Sequence, residues 1–154
     1  MVRLASGMIE VCIFAFSGRG PEYLLLRRST GARIYPDIWQ FVSGSIEGPE
    51  TAREAALREM SEETGLSPEG FWVVPHVSIF YDPSHDSMNL TPVFAAQVAP
   101  GSVPRLSAEH TEHRWCDRTA AAEMLAWPAQ RESLRLLHDF IVRGRAAAGL
   151  SRLH

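Results

Sequence analysis

The sequence predicts a mixed β-sheet with α-helices on both faces, an α/β (α+β) fold in a single domain spanning 1–154. Three observations predict it. The chain has 154 residues, which suits one domain able to bury its own core without disulfides or structural metal. Hydrophobic residues make up 45% and charged residues 21%, a globular balance that excludes disordered, collagenous and coiled-coil chains. Apolar β-branched runs alternate with helix-period segments, but without the strict strand–helix–strand repeat of an all-parallel sheet.

The elements follow in order. Met8 to Phe16 is apolar and β-branched enough for a core strand, and the cluster Ser17-Gly18-Arg19-Gly20-Pro21 is a turn. Glu22 to Arg28 reads as the returning strand of a hairpin, and Ser29 to Asp37 as a loop. Trp39 to Ser43 is a short extended piece ending at Gly44. Pro49-Glu50-Thr51 opens a strong helix over Ala52–Thr64, with Gly65 as its left-handed stop. Extended segments are expected at Phe71–Tyr81, Thr91–Val98 and Glu112–Cys116, with a polar surface loop at Asp82–Asn89. Thr119–Leu125 reads as a short helix and Pro128–Arg145 as a long amphipathic one, with Pro128 in its first turn. The tail, 146–154, is expected to be loosely ordered.

The formal charge of −3 gives no broad attraction for nucleic acid, so no nucleic-acid partner is expected. All fifteen basic residues are arginine, which reads as a coding bias. No segment approaches the roughly 20 apolar residues that span a membrane, and the first sixteen residues lack the pattern of a secretory signal. Cys12 and Cys116 have no CxxC partner and read as buried thiols of a reducing, cytoplasmic setting.

The chemistry concentrates between Gly44 and Leu66. On a helical wheel Ala52, Ala55, Ala56, Glu59 and Glu63 share one stripe, with Glu62 at its edge. The face expected to pack inward therefore continues into three carboxylates at i, i+3 and i+4, about 5–6 Å apart at Cβ. Like charges at that spacing repel, and partial burial raises the cost. Hard divalent cations accept carboxylate oxygens, so Mg2+ is the expected partner, with Mn2+ as the alternative. Several carboxylates also permit more than one ion, the arrangement used for in-line phosphoryl displacement.

The same segment resembles the Nudix box, G-x5-E-x7-R-E-U-x-E-E-x-G-U, where U is bulky and apolar. Gly44, Glu50, Arg58, Glu59, Met60, Glu62, Glu63, Gly65 and Leu66 fill every defined position. The resemblance implies the Nudix fold, a mixed sheet between helices, and metal-dependent hydrolysis of a diphosphate linkage in a nucleoside diphosphate derivative. It assigns metal binding to Glu59, Glu62 and Glu63, and to the backbone carbonyl of Ser43. It also implies that Arg58 holds the catalytic Glu59 in place. Glu50, at the helix start where the dipole favours a carboxylate, is expected to support Arg58 or the loop. Many members carry Gly-Gly where this chain has Ser43-Gly44, which matters if the backbone at Ser43 needs positive φ.

The likeness extends over most of the chain towards the bacterial dihydroneopterin triphosphate and nucleoside triphosphate pyrophosphatases, through Leu24 to Arg28, Trp39-Gln40, Glu109-His110, Trp115, Asp117 and Trp127. The implied substrate is a small nucleoside triphosphate-like molecule. Dinucleoside polyphosphates, nucleotide sugars and a non-catalytic nucleotide sensor are the alternatives, and a homodimer is left open. Glu109 is the candidate distal acid or general base, favoured over Glu112 because a loop residue reaches a cleft more freely. His110 beside it reads as a neutral surface histidine. Arg27 and Arg28 alternate across a strand, so one of them can fork a polyphosphate oxygen pair. Trp39, close to the box in sequence, is the favoured ring for stacking on the heterocycle, and Gly44 lines the substrate side of the loop.

Overall fold

The computed structural model describes residues 1–144 and 146–153. Its elements are β1 (Arg3–Ala5), β2 (Met8–Ser17), β3 (Gly20–Arg28), β4 (Trp39–Gln40), β5 (Val42–Ser45), α1 (Ala52–Thr64), β6 (Gly70–Asp82), β7 (Ser87–Gln97), β8 (His110–Cys116), α2 (Arg118–Met124) and α3 (Pro128–Leu137). The strands form one mixed sheet.

β2 is its centre, which explains an almost continuous apolar run: both faces are covered. Ile9, Val11 and Ile13 pack with Ala55, Ala56 and Met60 of α1. Cys12 and Phe14 pack with Leu134 and Leu137 of α3 on the opposite face. Both cysteines are buried free thiols.

The pairing of β2 divides along its length. Its N-terminal half pairs antiparallel with β5, from Met8↔Ser45 to Val11↔Val42. Its C-terminal half pairs with β3 across the expected hairpin. β7 runs parallel on its other side. β3 pairs with β4 and β8, placing the start of β8 beside Arg28. The sheet therefore splits where β5 leads into α1. Ser43 lies within regular β5 pairing, and its φ is not positive.

Several elements differ from the sequence expectation. The extended piece at 39–43 breaks at Phe41, whose side chain enters the core while its N–H donates to Gln130 Oε1 at 3.3 Å. The expected 82–89 loop is reduced to a turn at residues 83–86, because β6 and β7 pair down to Asp82↔Ser87. The polar residues there serve the tight turn, since Asp82 accepts from Ser84 N–H at 2.8 Å. β1, too short to give a periodic signal, adds to β7. The long helix ends as α-helix at Leu137 and continues as a π-turn, His138–Val142, closed by Arg143 N–H to the His138 carbonyl at 3.0 Å. That wider turn sets His138 Nδ1 2.6 Å from the Tyr23 hydroxyl.

In the tail, Ala146–Ser151 form a 3-10 helix, Leu153 N–H donates to the Phe71 carbonyl, and the Arg152 guanidinium lies 5.2 Å over Trp72. Arg145, the expected end of the long helix, and His154, the end of the expected loose tail, lie outside the described residues. Among the described residues no helix is long and apolar enough to cross a membrane.

Candidate active site

The site is built where β5 hands over to α1. Glu59 takes the space beside Gly44 that a side chain would fill: an ideal Cβ there would sit 2.1 Å from Glu59 Cδ. The bare backbone lets the Glu59 side chain lie against the strand. α1 is fixed at both ends, by a Thr51 capping box with Glu54 and by Gly65 at φ 67.

Arg58 organises the acids around this junction. Its Nη1 donates to Glu59 Oε1 at 2.8 Å and to Glu62 Oε2 at 3.2 Å. Nε and Nη2 grip both Glu50 oxygens at 3.2 and 2.7 Å, and Nη2 also donates to the Ser45 carbonyl at 2.8 Å. Glu50 itself accepts from Glu47 N–H at 2.7 Å. The result is a charge-assisted clamp of the loop, strand end and helix. The guanidinium reaches Glu59 and Glu62 from beside the stripe, so the wheel alone does not reveal this cation.

Behind the clamp lies a second, buried group. Glu63 is 2% exposed. Burial pushes its carboxyl up to about 9, and the nearby charges of Glu109 and Glu59 push the same way. Glu59 is also raised, chiefly by burial, although Arg58 opposes the shift. Donor atoms of Glu63, Glu109 and His110 all lie within 4.8 Å of one another. Arg28 faces this group, lowering both Glu63 and His110 through its charge. Its Nε also donates to the Ile34 carbonyl.

The remaining candidates are placed as follows. Glu112 pairs with Arg27 at 3.0 Å, and Arg27 also reaches Asp37 at 3.4 Å, so strand alternation sends Arg28 to the acids and Arg27 away. Glu62 is the exposed member of the helix trio. Trp39 packs on the core beneath α2 and α3, with the Arg114 guanidinium 5.3 Å above its ring. His110 is not at the surface, as its polar surroundings in the sequence suggested. Burial, not solvent, surrounds it, and desolvation followed by the Arg28 charge drives its pKa down to about 4. It is neutral, as expected, but inside; its burial comes from β8 pairing with β3, which the polar run Glu109-His110-Thr111-Glu112 does not announce.

The donor set fits a divalent cation. Glu63 Oε2 is buried without a hydrogen-bond partner, beside carboxylates whose mutual repulsion makes ionisation costly. A hard ion offsets both penalties. Glu59, Glu63 and Glu109 would hold it, with Glu62 and the Ser43 carbonyl nearby in the chain.

A mixed sheet split ahead of an acid-bearing helix, with an arginine clamp on its glutamates, makes a site suited to a divalent cation. Residues 8–137 match the NUDIX domain, and the chain belongs to that family. An octanoyltransferase of Myxococcus xanthus is 34% identical over 137 residues, covering 83% of this chain and 36% of that protein. The chain thus spans about a third of that relative's length. The dihydroneopterin triphosphate diphosphatase of Escherichia coli K12 is 25% identical over 139 residues, 82% of this chain and 89% of that one. The structure of the E. coli dihydroneopterin triphosphate pyrophosphohydrolase superposes with a TM-score of 0.69 at 26% identity, covering 93% and 99% of the two chains. The chain is an enzyme of the Nudix pyrophosphohydrolase class.

Proposed function

We propose that this protein hydrolyses a diphosphate linkage in a small nucleoside triphosphate-like substrate, dihydroneopterin triphosphate or a (deoxy)nucleoside triphosphate, with Mg2+ as the working ion. The observation that carries the reading is Glu63: a buried carboxylate with an orphaned oxygen, set among Glu59 and Glu109 and facing Arg28. The likeness to the E. coli diphosphatase over nearly its whole length supports the substrate class.

Glu59, Glu63 and Glu109, with Glu62 and the Ser43 carbonyl, would hold the divalent ion, which would supply positive charge to the phosphoryl oxygens and to the attacking water. Arg58, itself pinned by Glu50, holds the Glu59 carboxylate in one orientation. Arg28 presents a guanidinium to the polyphosphate oxygens. Glu109, exposed at the mouth of the group, takes the proton of the water that attacks phosphorus. The P–O bond of the anhydride breaks and phosphate or pyrophosphate leaves. Positioning and charge supply most of the acceleration, because phosphoryl transfer leaves little covalent work for protein groups.

The test is turnover of these triphosphates with separate assays for phosphate and pyrophosphate. Glu59→Gln should lower kcat by about three orders of magnitude with an unchanged melting profile. Near-wild-type turnover in that variant overturns the assignment.

A further inference from the structure

His110 takes no part in the hydrolysis proposed for this site. It is the first residue of β8, its side chain has no solvent exposure, and neither ring nitrogen has a hydrogen-bond partner. A neutral imidazole carries one N–H and one lone pair. Burying either unpaired costs about 1–3 kcal/mol, so a native site that leaves both bare calls for an explanation. His110 Nδ1 lies 3.9 Å from Glu63 Oε2, which is itself orphaned. That is too long for a hydrogen bond. It is within the span of two ligands of one ion, which at bond lengths of about 2.1 Å lie about 3–4 Å apart. Glu109 offers a third donor within 4.8 Å of both.

We propose that His110 is a nitrogen ligand of the metal centre, making with Glu63 and Glu109 a mixed nitrogen–oxygen site that selects first-row transition ions such as Mn2+ over Mg2+. The proposal rests on reading Glu63 and Glu109 as cation ligands. Mg2+ is a hard ion that prefers oxygen and gains little from imidazole, whereas affinity for a nitrogen donor rises along the first row from Mn2+ onwards. A carboxylate-only centre would not need a buried, partnerless imidazole facing its deepest acid.

The experiment uses the full chain, stripped of metal and loaded with Mn2+ alone, and reads the bound ion by pulsed electron paramagnetic resonance. Nitrogen modulation from a directly bound imidazole is expected, changing to the 15N pattern when the histidines are 15N-labelled. This readout needs no variant and no turnover. Calorimetric titration should show Mn2+ binding at least about tenfold tighter than Mg2+. His110→Gln should lower Mn2+ affinity about tenfold or more and Mg2+ affinity by less than about threefold, with His113→Gln unchanged as the control on the same strand. Bound Mn2+ without nitrogen coupling overturns this proposal and leaves the carboxylate site standing. Failure of the wild-type chain to bind either ion overturns both.

Discussion

Gly44 and Glu10 show how single positions set the site and the stability of the chain. At Gly44 the missing side chain is the point, because Glu59 fills the space that even one methyl would need. Gly44→Ala should swing Glu59 off the strand and away from Arg58. A displacement of about 1 Å costs about a hundredfold in rate, whereas stability should change little because only the end of a flexible side chain has to move. Kinetics and melting of the variant check both. Gly48 is the control: it sits at φ 50 with nothing near an added Cβ, so Gly48→Ala should lose about 1 kcal/mol of stability and no activity. Glu10 is buried beneath α3, bonded to Ser78 and Gln130, and desolvation raises its pKa from 4.5 to about 7. Below pH 4.5 the folded and unfolded chains both carry the proton, and the stability is whole. Between 4.5 and about 7 only the unfolded chain releases it, so stability falls as pH rises, by about 3 kcal/mol in all. Glu10→Gln should flatten that stretch of a urea-midpoint profile and be the more stable protein at pH 8. Glu63 adds a slope of the same sign to both proteins, continuing towards 9. Parallel profiles for wild type and variant would rule out an ionisable cost at Glu10.

At the scale of elements, α1 was readable because its signals are local. Thr51 and Glu54 form the capping box within one turn, and Gly65 accepts the left-handed stop that another residue would resist. Thr51→Ala should cost about 1 kcal/mol in a chemical melt, with kcat reduced only as far as α1 frays. The Nudix pattern was legible for the same reason: Gly44, Glu50, Arg58 and Glu59 lie within sixteen residues, and their contacts repeat the spacing. Elements that depend on distant partners were not legible. The polar Asp82–Asn89 stretch becomes a hairpin end because β6 and β7 continue pairing, which no local propensity states. His110 looks like a surface residue until β8 is laid against β3 and Glu63 comes down on it from α1. The choice between Arg27 and Arg28 likewise waits on Glu112, which sits opposite Arg27 in the ladder and takes it out of contention for the acids.

For the whole molecule, the acids are a stored instability. Glu63 is nearly inaccessible, and its neighbours Glu109 and Glu59 raise the cost of charging it, in a chain that already carries −3. An ion bound to this group exists only in the folded state, since the unfolded chain scatters Glu63 and Glu109 far apart. Binding then stabilises the fold by mass action, about 2.7 kcal/mol when the ion is a hundredfold above its Kd. At roughly 2–4 °C per kcal/mol for a chain of this size, the melting temperature should rise by about 5–11 °C at pH 8, and a chelator should reverse it. Glu63→Gln separates this from a general salt effect. Without metal the amide removes a carboxyl that burial resists ionising, so the variant should melt at or above the wild-type temperature at pH 8. With metal it should gain almost nothing, because the deepest ligand is gone. A wild-type melting temperature unmoved by millimolar Mg2+ and Mn2+ would leave the glutamates of α1 as an acidic helix face with no ion to hold.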